Sequence, residues 1–254
     1  MLDIVVILDR SGSMEDARSD HEGGLRSFVT DQRDLEDEAR FTLIQFDHVN
    51  PCEILFDRVP IEDVDTSKIV LIPRGGTPLL DAVGRAVAHV RAQVPDDGNV
   101  VVMVITDGHE NSSREWTKDR VKALVTELEQ KNWSFLFLGA NVDAFAEAGK
   151  MGIPMAAAMG YANVGGAGTV NAMYAATSDN LGGTRSSLRS GQPMRVASAS
   201  LSYTIGQRQA AMHKTKTDDD TVDLSVTNST AVSGGVNGPI SSSGDLAADQ
   251  KTEG

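Results

Sequence analysis

The first residues that could do chemistry form the run D-R-S-G-S at positions 9–13, where one carboxylate and two hydroxyls alternate with other side chains. The run directly follows residues 4–8, an unbroken apolar stretch rich in β-branched residues that predicts a buried parallel strand. Gly12 allows a turn tight enough for Asp9, Ser11 and Ser13 to converge. Such hard oxygen ligands suit Mg²⁺, Mn²⁺ or Ca²⁺ and not a soft metal. Taken alone, Asp9 and Ser11 are equally compatible with capping the helix that follows.

Two more oxygen-bearing residues occupy comparable places later in the chain. Thr77 directly precedes a predicted helix at residues 78–94, with Thr77 expected as its N-cap and Pro78 as its first residue. Asp107 follows residues 99–106, the most apolar predicted strand. In a parallel α/β sheet, strand ends and the loops that return to them share one edge. We therefore expect Asp9, Thr77 and Asp107 to lie close together.

Strand and helix patterns alternate along the chain, which predicts an α/β fold with a doubly wound, mostly parallel central sheet and helices on both faces. The other predicted strands are at residues 40–46, 53–56, 134–138 and 153–155. Helical spacing predicts helices at residues 24–35, 116–131 and 169–180, and Asp143 is expected to cap a short helix through residue 149. The short connection between the strands at 40–46 and 53–56 predicts an antiparallel pair at a sheet edge.

Composition divides the chain into a predicted domain at residues 1–190 and a tail at residues 191–254. The tail is rich in Ser, Thr, Gly and Ala and has no Phe or Trp, so it is expected to be mostly disordered. Two short alternating patches, at residues 201–205 and 222–226, are candidate edge strands or partner-binding segments, although a plain tail is the preferred interpretation.

Charge and cysteine content exclude several classes of protein. The 254 residues carry a net charge of −13, which argues against binding to nucleic acid or to anionic membrane surfaces. The single cysteine excludes an internal disulfide framework. The sequence shows no signal peptide, and no apolar run of about 18 residues that would span a bilayer. We therefore expect a soluble, cytoplasmic protein.

Three features together closely resemble the von Willebrand factor A family and its metal-ion-dependent adhesion site. They are the D-x-S-x-S run after one strand, Thr77 before a helix and Asp107 after another strand. The resemblance covers about residues 2–180. It implies that Mg²⁺ or Mn²⁺ is bound directly by Ser11 and Ser13, and directly or through water by Thr77 and Asp107. Asp9 is then expected to anchor the loop and a coordinated water, and one coordination position stays open for an Asp or Glu of a partner protein.

The resemblance predicts a cation-dependent protein-binding module and not an enzyme. An ATPase chaperone or a larger assembly is a candidate partner. The alternative is a structural or virion-associated assembly component that acts through its tail. A metal-dependent hydrolase ranks lower, because no general base is evident beside the site; His109 and Glu110 are interpreted as loop residues. The sequence has neither a G-x-S-x-G nor a P-loop motif, and an aspartyl-phosphate phosphatase would need a second carboxylate where Ser11 stands.

Overall fold

Six strands form one sheet in the computed structural model, which describes residues 1–140, 142–166 and 168–213. The strands are β1 (Leu2–Asp9), β2 (Ala39–Phe46), β3 (Glu53–Pro60), β4 (Asn99–Thr106), β5 (Trp133–Ala140) and β6 (Ala158–Tyr161). The helices are α1 (Arg18–Arg33), α2 (Leu79–Arg91), α3 (Lys118–Glu129), α4 (Ala144–Lys150), α5 (Thr169–Arg189), α6 (Met194–Ala197) and α7 (Ile205–Met212). The described part thus has the predicted α/β class, and β4 has the predicted bounds.

The strand order is β3-β2-β1-β4-β5-β6, so the chain winds outward in both directions from β1. All neighbouring pairs are parallel except β2 and β3, which form the predicted antiparallel pair at one edge. The direction of winding reverses between β1 and β4. In open α/β sheets this reversal leaves a crevice at the carboxyl ends of the strands, where ligands bind. The expected site therefore lies at the ends of β1 and β4.

Each face of the sheet is covered by helices, because successive side chains of a strand point to opposite faces. Ile4, Val6 and Leu8 of β1 pack into one apolar cluster with α1 and α5. Val5 and Ile7 pack into the other cluster, with α2, α3 and α4. Burial on both faces explains why β1 and β4 are continuous apolar runs without alternation.

Several predicted elements have different bounds in the structure. The helix predicted at 24–35 begins six residues earlier, at Arg18, because His21 in this polar stretch is buried. Gly24, on the same helix, packs directly against Tyr174 of α5: a Cβ at Gly24 would lie 2.3 Å from the Tyr174 ring. The helix predicted at 169–180 continues to Arg189.

The strand predicted at 153–155 is wrong. That segment leads into a short 3₁₀ helix at Met155–Ala157, and the strand is β6, which begins at Ala158. The physical reason is Pro154, which has no N–H to donate to a sheet. Ile153 is nevertheless buried, which is why the run has an apolar pattern.

The folded part continues past residue 190, where the sequence analysis placed the domain boundary. Residues 194–212 form α6, a 3₁₀ turn and α7, which contact α5. The patch at 201–205 forms no strand: Leu201 and Tyr203 are buried, and the Tyr203 hydroxyl lies 2.9 Å from Thr177 Oγ1. The Ser-, Thr-, Gly- and Ala-rich composition of this segment gave no indication that its scattered apolar residues are buried. The rest of the predicted tail, including the patch at 222–226, lies outside the described residues.

Among the described residues, no helix has both the length and the apolar character needed to cross a membrane.

Candidate metal site

Asp9 is fully buried where β1 ends beside β4. Its Oδ1 accepts a hydrogen bond from the Ser11 backbone N–H at 2.7 Å, and its Oδ2 accepts one from the Thr106 hydroxyl at 2.6 Å. Burial raises the pKa of the Asp9 carboxyl to about 6, because the charged form is removed from water. The loop after β1 thus holds one Asp9 oxygen, and the end of β4 holds the other.

The two serine hydroxyls of the D-x-S-x-S run face each other and face Asp107. Ser11 Oγ lies 3.1 Å from Ser13 Oγ, and Ser13 Oγ donates to Asp107 Oδ1 at 2.5 Å. Ser11 occupies the N-cap position of the following 3₁₀ helix, yet its side chain makes no capping hydrogen bond. The hydroxyls therefore point into the space between the strand ends, and the capping alternative does not describe them.

Thr77 lies at the same place, next to Gly108. A Cβ on Gly108 would lie 3.0 Å from Thr77 Oγ1 and 3.7 Å from Ser13 Oγ, so both hydroxyls border the same glycine. The predicted N-cap role of Thr77 is wrong, because α2 begins at Leu79 and Pro78 is its N-cap residue. The Thr77 backbone is instead held by Asn111, whose Oδ1 accepts the Thr77 N–H at 2.9 Å.

Backbone hydrogen bonds join the loop after β1 to the loop before α2. The Gly12 N–H donates to the Gly75 carbonyl at 3.0 Å, and the Arg74 N–H donates to the Arg10 carbonyl at 2.9 Å. Gly75 has a φ of +66°, which favours glycine, and a Cβ there would overlap the ring of His48. These contacts fix Thr77 relative to the serine hydroxyls.

Neither carboxylate of this cluster forms an ion pair with a cationic side chain in the described part of the chain. Arg10, the neighbour of Asp9 in sequence, turns away and donates to Asp47 Oδ2 at 2.7 Å and also to Glu53. Burial raises the pKa of Asp107 as well. Buried carboxylates without a counter-charge are costly. A divalent cation would neutralise them, and the surrounding hydroxyls are donors of the type that hard cations prefer.

Hydroxyl groups make up three of the five side chains that could bind a metal here. Within residues 1–140, 142–166 and 168–213, no group of three His, Cys, Asp or Glu side chains is placed to hold a metal ion. The five residues Asp9, Ser11, Ser13, Thr77 and Asp107 supply two carboxylates and three hydroxyls. All of these ligand atoms are oxygens, the type that hard divalent cations prefer.

Two further residues support Asp107, and the sequence analysis missed both. Asn163, which follows β6, donates from Nδ2 to Asp107 Oδ2 at 2.7 Å. His21 of α1 lies behind it, with Nε2 3.1 Å from Asn163 Oδ1. Neither residue belongs to a recognisable motif, and 142 residues separate them. Only the burial of a polar residue in an amphipathic helix could have drawn attention to His21.

The loop after Asp107 is tied to the start of α2. Glu110, interpreted from sequence as a loop residue, accepts the Leu80 N–H at 2.9 Å. Asp81 in turn accepts the backbone N–H groups of three residues of that loop, the shortest from Trp116 at 2.7 Å. His109 points away, with an exposed side chain 3.8 Å from Glu147. The loop is therefore held by carboxylates that are separate from the proposed ligands.

Solved structures similar to this chain share its fold. A structure of proximal thread matrix protein 1 from the mussel byssus, with a zinc-occupied MIDAS motif, aligns with a TM-score of 0.53 at 16% identity, over 70% of this chain and 47% of that one. A von Willebrand factor type A protein from Catenulispora acidiphila aligns with a TM-score of 0.51 at 15% identity, over 72% of this chain and 42% of that one.

This chain has the von Willebrand factor type A fold. It matches less than half the length of each of these two proteins. No protein-family model matches the sequence, and no curated protein sequence does either. Because sequence identity to the solved structures is so low, the likeness establishes the fold, and the function must be argued from the site itself.

Proposed function

We propose that this von Willebrand factor A-type domain is a divalent-cation-dependent protein-binding module. In this proposal Asp9, Ser11, Ser13, Thr77 and Asp107 hold Mg²⁺ or Mn²⁺, which coordinates an Asp or Glu of a partner protein. The observation that carries the proposal is the convergence of two buried carboxylates, without a cationic partner among the described residues, on three hydroxyls at the strand-order reversal.

Four of the five residues have roles that follow from their side-chain contacts. The hydroxyl oxygens of Ser11 and Ser13 lie next to each other. Asp107 orients the Ser13 hydroxyl by accepting a hydrogen bond from it. Asp9 holds the loop by accepting the Ser11 N–H and contributes negative charge. A bound Mg²⁺ would supply an electrophilic centre that prefers six oxygens, and neutral hydroxyls leave it enough positive charge to attract another carboxylate.

The zinc-occupied MIDAS motif of the mussel protein supports the proposal, because a related fold holds a divalent metal there. We propose that the partner is a protein with an accessible Asp or Glu, for which an ATPase chaperone or a larger assembly is a candidate. We also propose that the domain is not an enzyme. In support, His109, the histidine nearest in sequence to Asp107, contacts Glu147.

Calorimetric titration of Mg²⁺ and of Mn²⁺ into the metal-stripped protein tests the proposal. The wild type should bind one ion, and the Asp9→Ala variant should bind none while keeping its circular dichroism spectrum. Asp65→Ala is the matched control, because Asp65 also accepts a backbone N–H two residues later, from Ser67 at 3.1 Å, but lies on the exposed surface.

Acetate at millimolar concentration serves as the carboxylate probe in the same titrations. We expect it to tighten Mg²⁺ binding to the wild type by filling the open coordination position. If the wild type binds neither ion, even with acetate present, the proposed function is wrong. If the Asp9→Ala variant binds as well as the wild type, the metal lies elsewhere.

A further inference from the structure

Both carboxylate oxygens of Asp107 are already engaged by protein donors. Oδ1 accepts the Ser13 hydroxyl at 2.5 Å, and Oδ2 accepts the Asn163 amide N–H at 2.7 Å. The first donor, Ser13, belongs to the proposed ligand set, so Oδ1 faces the metal position. The second, Asn163, approaches Oδ2 from the loop after β6. Oδ2 is therefore engaged by a donor that lies outside the proposed ligand set.

The Asp107 carboxylate can only accept hydrogen bonds, so the Asn163 amide presents its N–H₂ group to Asp107 and its oxygen to His21. An amide oxygen can only accept a hydrogen bond, so the His21 ring must carry its proton on Nε2, 3.1 Å from Asn163 Oδ1. His21 Nδ1 is then an acceptor for the Tyr174 hydroxyl, 3.3 Å away. The donors thus run in one direction from Tyr174 through His21 and Asn163 to Asp107, and a reversed amide would set its oxygen against the Asp107 carboxylate.

The His21 ring is fully buried, and burial lowers its pKa to about 4. At neutral pH the ring is therefore uncharged and carries one N–H, as this direction of donation requires. The same ring packs edge-on against Tyr161 and Tyr174, with centroids 5.6 Å and 5.9 Å away. These two contacts hold the ring between α5 and the end of β6.

Fixing one oxygen of Asp107 affects Mg²⁺ and Ca²⁺ differently. Mg²⁺ takes single oxygens in an octahedron, whereas Ca²⁺ takes about six to eight oxygens and commonly binds a carboxylate through both. Asp9 is restrained in the same way, because its two oxygens accept from Ser11 and Thr106. Neither carboxylate therefore has two unengaged oxygens to offer to a larger cation.

We propose that Asn163, oriented by His21, makes this site select a small six-coordinate cation such as Mg²⁺ over Ca²⁺, because it withholds Asp107 Oδ2 from the metal. Asn163 and His21 are positioning residues, since they act through Asp107. The inference rests on the proposed function, and it adds the cation specificity of the same site. Partners that outer residues supply to metal ligands typically change metal affinity by about 10–100-fold.

The test is calorimetric titration of Mg²⁺ and of Ca²⁺ into wild type and Asn163→Ala. We expect weaker Mg²⁺ binding in the variant, little change or a gain for Ca²⁺, and a Ca²⁺-to-Mg²⁺ ratio of dissociation constants that falls about tenfold. Asn180→Ala is the matched control: Asn180 is a similarly half-exposed asparagine whose Oδ1 accepts from Gln207 at 2.8 Å, away from the site.

A second pair of variants tests the orienting residue. His21→Leu removes the donor to Asn163 and should lower the Ca²⁺-to-Mg²⁺ ratio of dissociation constants, as Asn163→Ala does. His21→Gln retains a donor, so its ratio should stay close to that of the wild type. An unchanged ratio in Asn163→Ala, or equal weakening for both ions, would overturn the inference while leaving the proposed function intact. A wild type that binds neither ion would overturn the proposed function itself. If Asn163→Ala does not fold, Asn163→Ser supplies the same comparison with a smaller loss of packing.

Discussion

Replacing Asp9 by asparagine should make the metal-free protein more stable while abolishing its response to metal. In the folded protein the pKa of Asp9 is raised from 3.8 to about 6 by burial. At pH 7 the ionised carboxylate therefore costs folding about 3 kcal/mol, at about 1.4 kcal/mol for each pKa unit. The uncharged amide of the variant would avoid this cost. It would also lose the attraction that holds a cation.

The local hydrogen bonds can adapt to this substitution. The amide oxygen can still accept the Ser11 N–H, as Asp9 Oδ1 does at 2.7 Å. The amide N–H₂ would face Thr106 Oγ1, which now donates to Asp9 at 2.6 Å. That hydroxyl can turn its proton to the Gly108 carbonyl, 3.2 Å away, and accept from the amide. The variant therefore tests the charge and leaves the hydrogen bonding nearly intact.

The assay is urea denaturation of metal-stripped wild type and Asp9→Asn from pH 4 to pH 7, repeated with Mg²⁺. A raised folded-state pKa means that the wild type suffers no penalty below about pH 3.8, and that the penalty grows as the pH rises through about 6. The variant should thus match the wild type near pH 4 and exceed it by up to about 3 kcal/mol at pH 7. Titrating groups that do not interact with Asp9 cancel in this difference; Asp107 does not, because its charge also raises the pKa of Asp9.

Mg²⁺ at one hundred times its dissociation constant should stabilise the wild type by about 2.7 kcal/mol and leave the variant unchanged. Asp65→Asn, at an exposed surface carboxylate, should respond to Mg²⁺ as the wild type does. The reasoning is refuted if the metal-free variant is less stable than the wild type at pH 7. It is refuted equally if the variant keeps the Mg²⁺-induced stabilisation.

Three more substitutions test how the site is held. Thr77→Val should weaken Mg²⁺ binding at least about tenfold by calorimetry without unfolding the domain, because the Thr77 hydroxyl caps no helix. Gly75→Ala should destabilise more than Gly191→Ala by urea denaturation: both glycines have positive φ, worth about 1–3 kcal/mol of strain, but only a Cβ at Gly75 would overlap His48. Asp81→Asn should lower the free energy of unfolding by about 1–3 kcal/mol, because one of three backbone N–H groups loses its acceptor.

The ends of strands were the part of this structure most accessible from sequence. Asp9 and Asp107 each stop an apolar run, and a buried parallel strand can be recognised from such a run without knowledge of its neighbours. The rule that strand ends share an edge then predicted that these residues meet, and the structure places Ser13 and Asp107 in hydrogen-bond contact.

Residues that act through tertiary contact were not accessible in this way. Asn163 lies in a loop without a pattern, and its link to Asp107 depends on how the end of β6 meets β4 across β5. His21 belongs to a polar stretch whose burial depends on Tyr174 in α5, far away in sequence. The segment at 194–212 has a linker-like composition, but it packs against α5. Such pairings are set by packing, which local propensity does not encode.

Arg10 shows how the fold keeps the proposed cation position free of the protein's own charge. It directly follows Asp9 in sequence, yet its guanidinium forms its ion pairs with other carboxylates. The guanidinium donates to Asp47, which is fully buried, and to Glu53. Arg74 also donates to Asp47 Oδ2, at 2.8 Å, so both arginines share this carboxylate. Asp9 and Asp107 therefore form no ion pair with an arginine or lysine side chain in the described part of the chain. Their negative charge remains available to a cation from solution.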